Sequence, residues 1–110
     1  MGIKNYTINS KGEIDVDRSV DLANNNFKEL PFKFGRVNGY FSLENCKNLI
    51  SLKNCPNFVS NMLDIDGCSQ LESLEGCPKE VGKDFHCVNC KRTFMEKEVT
   101  SLCKVKGKIS

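Results

Sequence analysis

The sequence predicts an α/β repeat solenoid, and three observations carry that prediction. Cys46, Cys68 and Cys90 stand 22 residues apart. Cys55 and Cys77, each followed by a proline (Pro56 and Pro78), return at the same interval. Two stretches, FSLENCKNLISLKNCPNFV from Phe41 to Val59 and LDIDGCSQLESLEGCPKEV from Leu63 to Val81, keep an apolar residue at five matched positions. The matched pairs are Phe41/Leu63, Leu43/Ile65, Leu49/Leu71, Leu52/Leu74 and Val59/Val81. A period of this length marks a stacked array in which each unit buries its apolar face only against its neighbours.

The period extends in both directions. Phe85 and Cys87 fall one period after Leu63 and Ile65, and Cys90 falls one period after Cys68. Upstream, VDLANNNFKELPFKF supplies Val20, Leu22, Phe27, Leu30 and Phe34 in the same five roles, with one residue fewer between Leu22 and Phe27. About four 22-residue units therefore span residues 18–94 of a single domain, residues 1–110. In each unit the apolar pair at i and i+2 predicts a short strand, and strands of successive units stack in parallel. An Asn or Cys follows, and two leucines three apart turn back over the core, which is the leucine-rich pattern. The Asn/Cys side chain points into the bend. Asn can bond free backbone groups there, and Cys is a small, weakly polar filler; Cys46, Cys68 and Cys90 take this place.

The ends of such an array need caps. In residues 1–17, the run YTINSKGEIDV from Tyr6 to Val16 alternates apolar residues around a Ser-Lys-Gly turn, which predicts a β-hairpin cap. In residues 95–110, Met95, Val99, Leu102 and Cys103 stand at helical spacing, which predicts an amphipathic helical cap. Thr93 is its expected N-cap, with Glu96 three residues on completing a capping box, and Val105 to Ile109 are expected to add a final strand.

A formal net charge of +2 with 27% charged residues is too balanced to argue for nucleic acid or an anionic membrane. The opening MGIKNYTINS is polar from its fourth residue and no long apolar run follows, so the expectation is a soluble, cytoplasmic protein. Met1-Gly2 opens like a myristoylation site, but Tyr6 stands where that signal requires Ser or Thr.

Seven cysteines in 110 residues raise disulfides and metal, and the repeat answers both. The number is odd and no export signal is read, which argues against a disulfide scaffold. Cys87-Val88-Asn89-Cys90 is a CxxC beside His86, so a zinc site built on His86, Cys87, Cys90 and Cys103 is one alternative. No second CxxC exists, Cys87 stands where Leu43 and Ile65 stand, and Cys90 stands where Cys46 and Cys68 stand. Packing accounts for both residues, and no metal or cofactor is expected. Catalysis is not expected either: His86 is the single histidine, read as an exposed surface residue, and no phosphate loop or paired acid/base motif appears.

Residues flanking the buried strand pair point outward, onto the expected concave side of the sheet. They are Ser19, Asp21 and Ala23, then Tyr40, Ser42 and Glu44, then Met62, Asp64 and Asp66, then Asp84, His86 and Val88. None is Lys or Arg, and Asp15 and Asp17 extend the acidic tendency, while lysines collect in the turns and the C-terminal segment. Asp21, Tyr40, Ser42, Glu44, Met62, Asp64, Asp66, Asp84 and His86 are thus the candidate partner-binding residues, with Tyr40 and Met62 as anchors for a basic protein surface. A calcium site among Asp64, Asp66 and Asp84 lacks the glycine pattern of known calcium loops. Neither direct nucleic-acid binding nor a membrane is expected, and the oligomeric state stays open.

The segments IDVDRSVDLANNNFKELPFKFGRVNGYFSLENC, SLEGCPKEVGKDFHCVNC and FMEKEVTSLCKVKGKI resemble small leucine-rich-repeat-like proteins encoded by large tailed bacteriophages. The resemblance implies an opening hairpin, units of the form SLEGCPKEVGGDFxCxNN, a short charged helix and a terminal Val-Lys-Gly segment. This chain departs from it at Lys83, at Cys90-Lys91 and at Thr93, so the last repeat is expected to be less regular. The resemblance implies a phage setting and no particular activity. Three readings follow: a non-enzymatic binder that modulates or inhibits a host protein in the host cytoplasm, a self-assembling structural repeat protein, or a small zinc-binding regulator.

Overall fold

In every period the chain makes two short extended stretches separated by tight corners, and the apolar residues of both turn inward. The computed structural model describes residues 5–110. Met1-Gly2 and the start of the N-terminal segment lie outside the described residues. The strands are β1 (Tyr6–Ile8), β2 (Ile14–Val16), β3 (Val20–Asp21), β4 (Phe34–Val37), β5 (Phe41–Ser42), β6 (Phe58–Val59), β7 (Leu63–Asp64), β8 (Glu80–Val81) and β9 (Phe85–His86), followed by α1 (Glu96–Leu102) and β10 (Lys104–Val105). They build a β-solenoid of about four turns, with a six-stranded sheet in the order β1-β2-β4-β6-β8-β10 and a four-stranded sheet in the order β3-β5-β7-β9. All neighbours run parallel except the β1–β2 hairpin. Among the described residues no helix is long and apolar enough to cross a membrane.

The four-stranded sheet is the one the apolar pairs predict: Val20, Phe41, Leu63 and Phe85 stack in register. The second sheet leaves a weaker mark on the repeat pattern, one matched apolar residue per turn (Val59, Val81) where the first sheet has a pair two residues apart. Its register corrects one assignment. Val37, not Phe34, stands in line with Val59, in a column running Val16, Val37, Val59, Val81 and Val105. Phe34 instead pairs with Ile14, and its ring meets Phe41 edge-on at 5.1 Å. All of these except Val105, which is half-buried, are buried residues of one continuous core between the sheets.

Each turn passes its backbone N–H groups to the next. The Leu22, Leu43, Ile65 and Cys87 amides donate to the carbonyls of Ser42, Asp64, His86 and Ser110 at 2.9, 2.8, 2.8 and 2.7 Å. In the bend that follows, the cysteines do more than fill space. The Cys46, Cys68 and Cys90 thiols donate back to the carbonyls of Leu22, Leu43 and Ile65 at 3.2, 3.1 and 3.4 Å. Asn25, at the same place in the first turn, instead bonds within its own turn, its side-chain amide donating to the Leu22 carbonyl at 2.8 Å. Burial pushes the Cys68 thiol up to about 12, which keeps it protonated as that donor role requires.

The N-terminal hairpin forms as expected, with Tyr6 opposite Val16 and Ile8 opposite Ile14. The Asn9 side-chain oxygen accepts from the Lys11 and Glu13 amides and shapes its turn. At the other end two expectations fail. The helix starts after Met95, which makes no side-chain cap bond, so the Thr93–Glu96 capping box does not form. Met95 and Leu102 are also 65% and 52% exposed, and the helix buries Val99, followed by Cys103 just beyond its end. Seven residues are about two turns, which show the core a single position. Phe94 anchors the segment from outside the helix, with Arg92 stacked over its ring at 4.6 Å and paired to Glu98. The expected final strand divides between the sheets: Val105 pairs with Val81, and Ile109 bridges Phe85.

Close stacking sets a local test. Gly12 and Gly76 both have positive φ, 77° and 90°, but a Cβ on Gly12 meets nothing within 4 Å while one on Gly76 lies 2.6 Å from the Leu52–Lys53 backbone. Gly12→Ala should cost roughly 1 kcal/mol from backbone conformation alone. Gly76→Ala should cost about 3 kcal/mol or more, since backbone must also move. Urea unfolding of the two variants measures both, and equal losses would contradict this packing.

Candidate functional site

The outward side chains of the four-stranded sheet form rows because the strands are in register. Asp21, Ser42, Asp64 and His86 lie in line across it. Two residues on in each turn come Ala23, Glu44, Asp66 and Val88, and on the other side of the row stand Tyr40, Met62 and Asp84. Asp21 and Glu44 are exposed, whereas Tyr40, Met62, Asp64, Asp66, Asp84 and His86 are half-buried. Ser42, expected to face a partner, is only 7% exposed, and its hydroxyl accepts from the Glu44 amide at 3.3 Å.

Several of these side chains also hold the backbone. Asp21 accepts from the Ala23 amide at 3.0 Å and Asp64 from the Asp66 amide at 2.9 Å, the same local turn that Ser42 makes with Glu44. Other acceptors span adjacent turns: Asp66 takes the Val88 amide at 2.7 Å and Asp84 takes the Lys108 amide at 2.8 Å. Asp15 does the same for the Arg36 amide at 2.8 Å, and Ser19 for the Tyr40 amide at 3.0 Å. These structural roles were missed in the sequence. The signal for the local ones was present, an Asp or Ser two residues before each outward position that follows a strand.

The acidic row has a focus. Carboxylate oxygens of Glu44, Asp64 and Asp66 lie within 4.8 Å of one another. Asp84 is not among them, which corrects the grouping of Asp64, Asp66 and Asp84: its carboxylate is committed to the Lys108 amide beside Gly107. Burial first, and then the charges of Asp66 and Glu44, hold the Asp64 carboxyl above its ordinary value, with the Asp66 amide and His86 offsetting part. Among the described residues no Lys or Arg forms an ion pair with any of the three.

The zinc alternative does not find its geometry. Among the described residues, Glu44, Asp64 and Asp66 are the one group of three or more such ligands with donor atoms in mutual reach, so His86, Cys87, Cys90 and Cys103 do not assemble. His86 and Cys87 are successive residues of an extended segment and face opposite sides. Cys90 is engaged with the Ile65 carbonyl, and Cys103 lies near Cys77 and Glu80 instead. His86 is not the free surface histidine expected: it is half-buried, and its Nδ1 lies 2.9 Å from the Ser110 hydroxyl. No protein-family model, curated protein or solved structure matches this chain.

The raised Asp64 carboxyl gives a pH prediction. A carboxyl whose folded pKa exceeds its unfolded one favours the native state while protonated, and that contribution is lost as pH rises through the folded pKa. Asp64→Asn keeps the acceptor for the Asp66 amide and removes the charge. It should melt above the parent protein near neutral pH, and the gap should close below pH ~4, where the unfolded carboxyl is protonated as well. A lower melting temperature for the variant near neutral pH would contradict the assignment.

Proposed function

We propose that this chain is a non-enzymatic protein-binding module of the leucine-rich-repeat-like kind, which engages a basic protein surface through the outward face of its four-stranded sheet. The observation that carries the reading is the convergence of Glu44, Asp64 and Asp66 with no cation paired to them among the described residues. Ionised Asp64 is poorly compensated where it stands, and an arriving Arg or Lys relieves that cost. Such a contact gives orientation and a fast association rate more than raw affinity. Tyr40 and Met62, half-buried beside the row, add apolar area for the partner to cover.

In this reading the β1–β2 hairpin and the segment from α1 to β10 act as caps. The resemblance to phage-encoded repeat proteins supplies the setting, a host cytoplasm in which the partner is a host or phage protein whose basic surface is blocked or tethered. End-to-end self-assembly is the weaker reading. A continuous stack would lay β10 of one copy along β2 of the next, and β1 already occupies that edge.

The test uses substitutions that remove charge without removing acceptors. Asp66→Lys would also take away the acceptor for the Val88 amide, so the informative variant is the triple Glu44→Gln/Asp64→Asn/Asp66→Asn. Capture from a bacterial host lysate should retain a basic protein on the wild type that the triple variant loses, and salt should weaken that retention. Identical retention by both baits would sink the acidic-face reading.

A further inference from the structure

A second charged feature lies at the corner between the strands, and its sign is opposite. Lys33, Lys53 and Lys79, from three successive turns, line one cleft of about 410 Å3 together with Ser51, Asn57 and Glu75. Among the described residues none of these lysines forms an ion pair, whereas Lys91 and Lys106 reach Glu72 and Glu80 at 3.7 and 3.3 Å. The half-buried Lys33 is held by neutral oxygens alone: its ammonium donates to the Cys55 carbonyl at 2.7 Å and to the Asn57 side-chain oxygen at 3.0 Å. Two bonds leave one of its three N–H donors available. Burial lowers the Lys33 pKa, and the Glu13 charge nearby offsets only part of that. The Ser51 hydroxyl accepts from the Lys53 amide at 3.0 Å, so its proton is free to donate.

Three ammonium groups line the cleft against the carboxylate of Glu75 and that of Glu13, which accepts from the Asn57 side-chain amide at 3.4 Å, so the cleft keeps a net positive charge. We propose that this cleft is a binding site for a phosphate group, held by the ammonium groups of Lys33, Lys53 and Lys79 with the Ser51 hydroxyl as a further donor. Lysines from three successive turns offer a phosphate several ammonium donors at once, and lysine ammonium is a compact phosphate partner. No aromatic residue lines the cleft to stack a base, so a single phosphate fits it better than a polynucleotide track does.

The proposal is tested by NMR titration of the full chain near neutral pH, first with inorganic phosphate and then with phenyl phosphate. Saturable shifts should appear at the cleft residues, and Lys33 should titrate closer to an ordinary lysine once phosphate is bound. Lys53→Gln/Lys79→Gln, two exposed positions, should bind roughly tenfold more weakly for each lysine removed. Lys47→Gln/Lys97→Gln removes the same charge elsewhere and should bind as the parent does. Tighter binding of phenyl phosphate identifies a phosphomonoester as the ligand, and equal binding identifies free phosphate. Shifts spread over all lysines without saturation, or equal weakening in both double variants, would overturn the site.

Discussion

Everything in this structure depends on the backbone returning to the same place once per turn, so that amides of one turn meet carbonyls of the next. The bonds from Leu22, Leu43, Ile65 and Cys87 are successive instances of that one constraint. Parallel strands cannot be joined by a tight hairpin, so two sharp corners and a second sheet complete each circuit. The spacing between turns then dictates which residues are allowed. Gly76 lies so close to the Leu52–Lys53 backbone that no side chain fits, and Val16, Val37, Val59, Val81 and Val105 repeat because the same gap recurs at each level.

The cysteines belong to this constraint. A thiol is small enough for the bend and can donate one weak bond to the carbonyl one turn back, which three of them do. Burial pushes Cys77 and Cys90 up to about 11 and Cys103 up to about 12, so these sulfurs stay protonated near neutral pH. A protonated, packed thiol is a poor nucleophile and a poor metal ligand.

The acidic residues serve two purposes that pull against each other. Asp66 and Asp84 accept amides from the following turn and so help hold it, yet Asp66 also crowds Asp64 and Glu44. An ionised carboxylate accepts more strongly than a neutral oxygen, and stacking carboxylates at the turn spacing accumulates charge on one side. The lysines of the corner cleft accumulate the other sign, so a net charge of +2 conceals an acidic region and a basic one. Both proposed contacts follow from that separation: a cationic protein surface for one region, a phosphate for the other.

The 22-residue interval, the number of turns, the stacked apolar positions of the four-stranded sheet, the opening hairpin and the acidic outward rows were legible in the residues themselves. Repetition records which side chains meet their counterparts one turn away, and that is a property of spacing alone. Only the tertiary structure decided the rest. The second sheet shows one matched apolar residue per turn and no apolar pair, and Phe34 could be told from Val37 only by the register with Val59. The helix kept Val99 inside and left Met95 and Leu102 outside because two turns offer the core one position, whatever the apolar spacing suggests. The meeting of Glu44 with Asp64 and Asp66, and of Lys33, Lys53 and Lys79, required residues of successive turns to be brought side by side. How close they come is set by how sharply each corner bends, and a periodic sequence names the rows without fixing that distance.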